Sequence, residues 1–172
     1  MILDINSTLS VNQAVTVTAV STGVYDVAGL GVGNAVTNAF GLQNTSFGED
    51  LGGGGPNDAS AAQMAVIVGT AFTAGGAATM TIQLQAAVDT TNTGTPGTWS
   101  TIVQTDAIPV ASLVAGAIPA SFTIPKRYLG QNFPRFYRLN YVIATGPMTA
   151  GTIKYAGLLT GVDDNPSYPS AF

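Results

Sequence analysis

The chain has 172 residues, of which 46% are hydrophobic and 8% are charged, and it contains neither His nor Cys. Average soluble proteins have about 25% charged residues, so this protein is unusually neutral. Without His and Cys, it lacks the residues that most general acid–base catalysis, Ser–His or Cys–His nucleophilic catalysis and zinc sites require. We therefore expect a protein that binds or assembles rather than an enzyme, with no cofactor and no metal.

The balance of charges also limits the classes of molecule that this protein is expected to bind. Five basic residues stand against nine acidic ones, giving a net charge of −4, which makes nucleic acid an unsuitable partner. The residues after Met1 have no basic region leading into an apolar run, as a signal peptide has. No stretch approaches the ~20 apolar residues of a membrane helix. We expect cytoplasmic synthesis and no membrane partner. The low charge favours permanent assembly, the alternative being a neutral surface rich in Thr, Ser and Asn.

The N-terminal part of the chain predicts strands followed by a long loop. Residues 14–20 alternate, with Val15 and Val17 facing one way and the intervening Thr residues the other, which is typical of a half-buried strand. A short strand follows near 23–27. Residues 28–62 are Gly-rich and fit no strand pattern, and loops of this length are usually functional or disordered. We predict a loop insertion there.

Period-two alternation recurs through the rest of the chain. Met80, Ile82 and Leu84 are predicted to face inward from one strand, and Tyr137, Leu139, Tyr141 and Ile143 from another, with Arg138 and Asn140 on its opposite side. Further strands are predicted at 63–72, 99–105, 119–124 and 151–159. The segment 74–76 is interpreted as a hairpin turn, while 93–97 and 146–147 break the later strands.

About eight strands without an amphipathic helix predict one all-β domain over residues 1–172. The fold class is an antiparallel jelly roll or β-sandwich with a long Gly-rich insertion, and an immunoglobulin-like sandwich stays an alternative. Residues 162–172 contain two Pro and the aromatics Tyr168 and Phe172. They predict an extended arm that docks on a neighbour, the alternative being a frayed terminus.

Few residues suggest a site. Four of the five basic residues fall within thirteen positions and could meet carboxylates on a partner, or could lie on a solvated strand edge and loop: Lys126, Arg127, Arg135 and Arg138. Trp99 could stack on a sugar, although packing in a core or interface is commoner for a lone Trp. The adjacent carboxylates at 49–50 and 163–164 would point apart in an extended chain, so they give no support for glycosidase chemistry.

Three groups of segments resemble a known family. They are 1–22, with Leu9-Ser10 and Gln13-Ala14-Val15-Thr16; 71–85, with Ala74-Gly75-Gly76; and 135–151, with Arg135-Phe136-Tyr137-Arg138-Leu139-Asn140-Tyr141 and Gly146-Pro147. In this order and spacing the chain resembles the cement (decoration) proteins of tailed-phage capsids. The segments 28–62 and 162–172 depart from that pattern.

The resemblance implies a jelly-roll subunit that forms a homotrimer on the outer surface of the virion capsid, after synthesis in the host cytoplasm. It implies that the trimer holds neighbouring capsomers of the major capsid protein together, with no catalytic residue and no cofactor. Besides the four basic residues, the predicted capsid or trimer contacts are Ile2, Leu3, Phe40, Phe47, Tyr168 and Phe172. The alternative function is a carbohydrate-binding or host-recognition module of a virion appendage, with Trp99 or Tyr155 as its platform.

Overall fold

Strands dominate the computed structural model because β-branched and aromatic residues alternate with polar ones along most of the chain. The structure describes residues 8–26, 63–91, 94–123 and 134–159, and within them twelve strands form. Their bounds are β1 (Thr8–Ala14), β2 (Ala19–Val20), β3 (Tyr25–Asp26), β4 (Gln63–Val68), β5 (Thr73–Ala74), β6 (Thr79–Ala87), β7 (Ser100–Gln104), β8 (Ile108–Pro109), β9 (Ala120–Thr123), β10 (Phe136–Ala144), β11 (Met148–Ala150) and β12 (Thr152–Leu159). A short 3-10 helix at Val110–Ser112 follows β8.

The strands form two large antiparallel sheets and a small one, in which β5 pairs with β11. The four-stranded sheet has the order β1-β12-β4-β9, and the larger sheet has β2-β10-β6-β7 with β3 and β8 paired at its ends. The short strands β5, β8 and β11 can be set aside, and β2 and β3 can be counted as one interrupted strand. Eight principal strands then remain. The first then pairs with the last, the second with the seventh, the third with the sixth and the fourth with the fifth. This is a folded ribbon rolled up on itself, which confirms the predicted jelly-roll sandwich.

A single apolar cluster fills the space between the sheets. Met80, Ile82 and Leu84 of β6 are fully buried, as their alternation predicts, and they belong to the same core cluster as Met64 and Val66 of β4 in the other large sheet. Burying a large apolar side chain stabilises the fold by roughly 1.5–3 kcal/mol, so this interface is the main source of stability. One polar bridge crosses it, since the Ser10 hydroxyl lies 2.9 Å from the Tyr141 hydroxyl.

The predicted strand at 14–20 is wrong in its middle. Val15 is buried but Val17 is 59% exposed, and residues 16–18 form a bend between β1 and β2. The chain crosses here from one sheet to the other, so its backbone bonds go to different strands. The Val15 amide donates to the Gly151 carbonyl, and the Thr18 hydroxyl accepts from the Ile143 amide.

The predicted hairpin at 74–76 is also wrong. The strand before it, β5, pairs with β11 rather than with β6. The exposed Gly75-Gly76 is therefore a corner between two sheets. The loop at 88–99 does join paired strands, β6 and β7.

The turns divide between two ends of the roll. Register places Thr8 beside Gly157 and Gln63 beside both Thr123 and Leu159 at one end of the four-stranded sheet. At the same end of the other sheet, Asp26, Phe136 and Ala87 lie side by side. We call this end the gap pole and define it by the strand ends Thr8, Asp26, Gln63, Thr123 and Leu159. The corners at residues 75–76, 116 and 145–146 lie at the opposite pole.

Candidate interaction surface

The outer side of the larger sheet is a polar array across β10, β6 and β7. Its two rows are Arg138–Gln85–Thr101 and Asn140–Gln83–Gln104, set by the strand register. Trp99, two positions before Thr101, lies next to the first row. We call these seven residues the polar face: Gln83, Gln85, Trp99, Thr101, Gln104, Arg138 and Asn140. Successive side chains of a strand point to opposite faces of the sheet. Because every second residue of β6 and β10 points into the core, the residues between them lie on the outer face.

Hydrogen bonds between side chains connect the polar face. Asn140 Nδ2 donates to Gln83 Oε1 at 2.9 Å, and Gln83 Nε2 donates to Gln104 Oε1 at 2.9 Å. These amides hold each other in place across three strands. The rotamers are therefore largely fixed before any partner arrives, which reduces the entropy lost on binding.

Arg138 is held in a definite orientation on this face. Its Nε donates to Gln85 Oε1 at 2.8 Å, and its guanidinium carbon lies 4.2 Å from the centre of the Trp99 ring. Such a cation–π contact contributes about 0.5–1 kcal/mol at an exposed site. Partial burial lowers the pKa of Arg138, but guanidinium stays protonated at neutral pH. Within the described residues, no carboxylate pairs with it.

Arg135, at the gap pole, has a different environment. Its Nε and Nη2 donate to the two oxygens of Asp26 at 2.8 and 2.9 Å, and its Nη1 donates to Asp89 Oδ2 at 2.7 Å. The Asp26 side chain is 1% exposed and that of Asp89 is 6% exposed. The hydrogen bond to Asp26 is the largest cause of the raised pKa of Arg135. We call these three residues the buried ion cluster.

The buried ion cluster joins three parts of the chain. Asp26 ends β3, Arg135 precedes β10, and Asp89 lies in the loop after β6. Asp89 Oδ2 also accepts from the Gly94 amide at 2.8 Å, where Gly94 has a φ of 78° that favours glycine. The cluster therefore fastens the strand ends at the gap pole and shapes the 88–99 loop.

The Bbp16 family model matches residues 9–156, from β1 into β12. The chain belongs to the Bbp16 family. This family is related to phages. No curated protein gives a significant match to the chain.

In this Bbp16 protein, the structure separates two of the four basic residues that the sequence groups together. Arg135 is committed to two carboxylates of its own chain, whereas Arg138 faces outward. Lys126 and Arg127 lie outside the described residues. So do the other predicted contacts, which are Ile2, Leu3, Phe40, Phe47, Tyr168 and Phe172, together with the segments 28–62 and 162–172 and both carboxylate pairs. Their contact roles, like the extent of the single domain, stay predictions.

The two aromatic platform candidates lie on different sheets. Trp99 is half-buried on the polar face, outside the apolar cluster, while Tyr155 on β12 is 8% exposed. Sequence reasoning missed Asp26, Asp89 and the amide rows. The amide rows could have been predicted from the sequence, because Gln83 and Gln85 alternate with inward-facing residues in the same way as Arg138 and Asn140. The pairing of Asp26 with Arg135 could not have been, since 109 positions separate them.

Among the described residues, no group of three or more metal-ligating side chains comes together. No helix in that part of the chain is long and apolar enough to span a membrane.

Proposed function

We propose that this protein is a homotrimeric cement protein on the outer surface of a tailed-phage capsid, where it stabilises contacts between capsomers of the major capsid protein. It acts through shape and contact, without enzymatic activity, cofactor, nucleic acid or membrane. Family membership supports a phage context, and the surface of the roll supports a role in assembly.

The observation that carries the proposal is the scarcity of charge on the described surface. Three acidic and three basic residues lie in the described segments, and the buried ion cluster contains half of them. The others are Asp106, Arg138 and Lys154. Seven large aliphatic residues are exposed there instead: Val11, Val17, Val20, Ile102, Val103, Val114 and Ile118. Isolated soluble domains usually keep more surface charge, so neighbouring subunits that cover this surface account for its composition.

Strand β7 supports self-association. Among the described strands it pairs only with β6, all five of its residues are exposed, and it contains neither charge nor Pro. Isolated proteins commonly protect an edge strand with Lys or Pro, because unpaired backbone groups invite other chains. An edge without such protection fits a surface that a second copy covers.

The gap pole supports capsid attachment. The segments with most of the predicted contact residues join the roll at Thr8, Asp26, Gln63, Thr123 and Leu159, and register places those strand ends at one pole. Contacts contributed by separate segments would therefore start from one region. Repeated over many copies, modest contacts add up to a large stabilisation of the shell.

Co-sedimentation with capsids that lack this protein tests the proposal. We expect a trimer in analytical ultracentrifugation and saturable binding to the capsids, which then withstand higher temperature. Removing residues 162–172 should lower capsid occupancy, and unchanged occupancy would exclude a role for the tail. A monomer with no affinity for capsids would overturn the whole proposal.

One observation favours the second candidate, a carbohydrate-binding module. Trp99 lies on the outer face beside amide side chains, a setting that suits sugar recognition, although Arg138 covers one side of its ring. Binding to a glycan array that is lost in Trp99→Ala would support this function. Retention of binding in Tyr155→Phe would serve as the control.

A further inference from the structure

Arg138 combines a fixed orientation with unused hydrogen-bonding capacity. Its Nε donates a hydrogen bond to Gln85, and one face of its guanidinium packs against the Trp99 ring. Neither Nη atom has a hydrogen-bond partner within the described residues. The side chain thus presents free N–H groups from a half-buried position on the polar face.

The chemistry of guanidinium indicates what these free groups take. Its planar fork matches the two oxygens of a carboxylate, and Arg135 in the same chain binds Asp26 in this way. Neutral amides and hydroxyls surround Arg138, so a carboxylate placed there would meet no repelling charge from the polar face. A phosphate backbone is a poorer fit, because nucleic-acid binding needs several cations that track the strand.

We infer that Arg138, positioned by Trp99 and Gln85, is the anchor that receives an aspartate or glutamate side chain of the major capsid protein. This inference rests on the proposed function and names the contact that the function uses. Arg and Trp are the residue types most enriched among the energetic centres of protein interfaces.

The polarity of the face favours the coat protein over a second copy of this chain. Permanent oligomer interfaces are more hydrophobic, whereas interfaces between proteins that fold separately are more polar. The amide rows match the second type, and the aliphatic residues of β7 match the first. A second copy could offer Asp106, the one exposed carboxylate in the described segments.

The first test compares capsid binding of single variants. Against capsids that lack this protein, Arg138→Gln should bind at least about 30-fold more weakly than wild type, as expected for an anchor residue. Arg138→Lys keeps the charge without the fork and should lie between them. Lys154→Gln removes an exposed charge from the other sheet and should change affinity less than about threefold.

Measurements on the isolated variants show whether the carboxylate that Arg138 binds belongs to the coat protein or to this chain. Arg138→Gln should lower the Tm by no more than about 4 °C and leave the oligomer intact, since it would break no internal ion pair. A loss of Tm as large as that of Arg135→Gln would show an internal carboxylate and overturn the inference. Dissociation of the oligomer by both Arg138→Gln and Asp106→Asn would assign Arg138 to a second copy and overturn it as well.

Carbodiimide cross-linking identifies the occupant directly. In Arg138→Lys, the new amine can form an amide, with net loss of water, with any carboxylate that it contacts on the capsid. A cross-link from position 138 to a coat-protein Asp or Glu, found by mass spectrometry, is the expected result. A cross-link to another copy of this chain would overturn the assignment, and Lys154 reports the background.

The outcomes distinguish the inference from the function beneath it. If wild type binds capsids and Arg138→Gln binds equally well, the inference fails and the cement function stands. If wild type does not bind capsids, both fail. Glycan binding that depends on Arg138, in a protein without capsid affinity, would instead assign the polar face to an acidic carbohydrate.

Discussion

Arg135 directly precedes β10 and Arg138 lies three positions later within it, yet their hydrogen-bond partners differ in kind. Arg135 is enclosed by two buried carboxylates, while Arg138 lies on a tryptophan ring, and its terminal nitrogens have no partner among the described residues. Arg135 stabilises the fold through its ion pairs, whereas Arg138 is available to bind a partner. The comparison shows that a cluster of basic residues in a sequence does not define one surface.

The largest expected effect tests the structural half of the comparison. Arg135→Gln leaves Asp26 and Asp89 buried without their cation, and breaking such a cluster costs about 3–5 kcal/mol of unfolding free energy. Urea denaturation followed by circular dichroism measures the loss. A loss below about 1 kcal/mol would show that the buried ion cluster does not stabilise the roll.

Alkaline pH distinguishes the contribution of the arginines to stability from that of the buried tyrosines of β10. Burial raises the pKa of Tyr137 to about 12, against about 10 in an unfolded chain. This group's contribution is therefore complete below pH 10 and is lost as the pH rises to about 12. Since one pKa unit corresponds to about 1.4 kcal/mol, we expect a loss of about 2–3 kcal/mol from Tyr137, to which Tyr141 adds because burial raises its pKa as well. Denaturation at pH 9 to 12 measures it.

The matched control for that window is the arginine variant. Both guanidinium groups stay protonated, so the stability difference between wild type and Arg135→Gln should be the same at pH 7 and pH 11. Tyr137→Phe should reduce the alkaline loss by about 2–3 kcal/mol and leave the part due to Tyr141, whose pKa burial also raises. A difference that instead disappears by pH 11 would mean that the ion cluster itself titrates there.

A smaller effect is expected from Asp89→Asn. This change keeps the size of the side chain and an oxygen for Gly94, but it removes one of the two carboxylates from Arg135. The bidentate pair with Asp26 remains, so we expect a cost of about 1–2 kcal/mol. Combined with Arg135→Gln, the losses should be less than additive, and strict additivity would contradict a shared cluster.

The smallest effect belongs to Arg138. In the isolated protein, Arg138→Gln loses the ring contact and one hydrogen bond, so the expected cost is about 1 kcal/mol or less. Thermal unfolding of this variant beside Arg135→Gln gives the comparison in a single experiment. Equal losses in the two variants would end the distinction between the arginines.

The sequence predicts this fold well wherever alternation runs uninterrupted. Leu84 and Tyr137 lie inward as their period of two requires, and turn residues mark the loop between β6 and β7. Prediction failed at Val17 and at Gly75, because a corner between sheets has strand-like residues on both sides. No local pattern shows which strand a backbone amide will reach.

The candidate site was only partly predictable, for a related reason. The outward side of Arg138 follows from its register with Tyr137 and Leu139. The ion pairs of Arg135 depend on Asp26 and Asp89, which reach it only after the ribbon has rolled up. Charge pairs between distant segments are products of the topology and leave no trace in local spacing.

The division of the roll into two poles has a practical consequence. At Gly75 and Gly76, an added side chain would meet no neighbouring atom within 4 Å, and both glycines lie at the pole opposite Thr8 and Leu159. A foreign peptide spliced between these glycines would project away from the strand ends through which the shell is proposed to be gripped. Particles coated with such a fusion could then display an antigen or an enzyme without losing their coat.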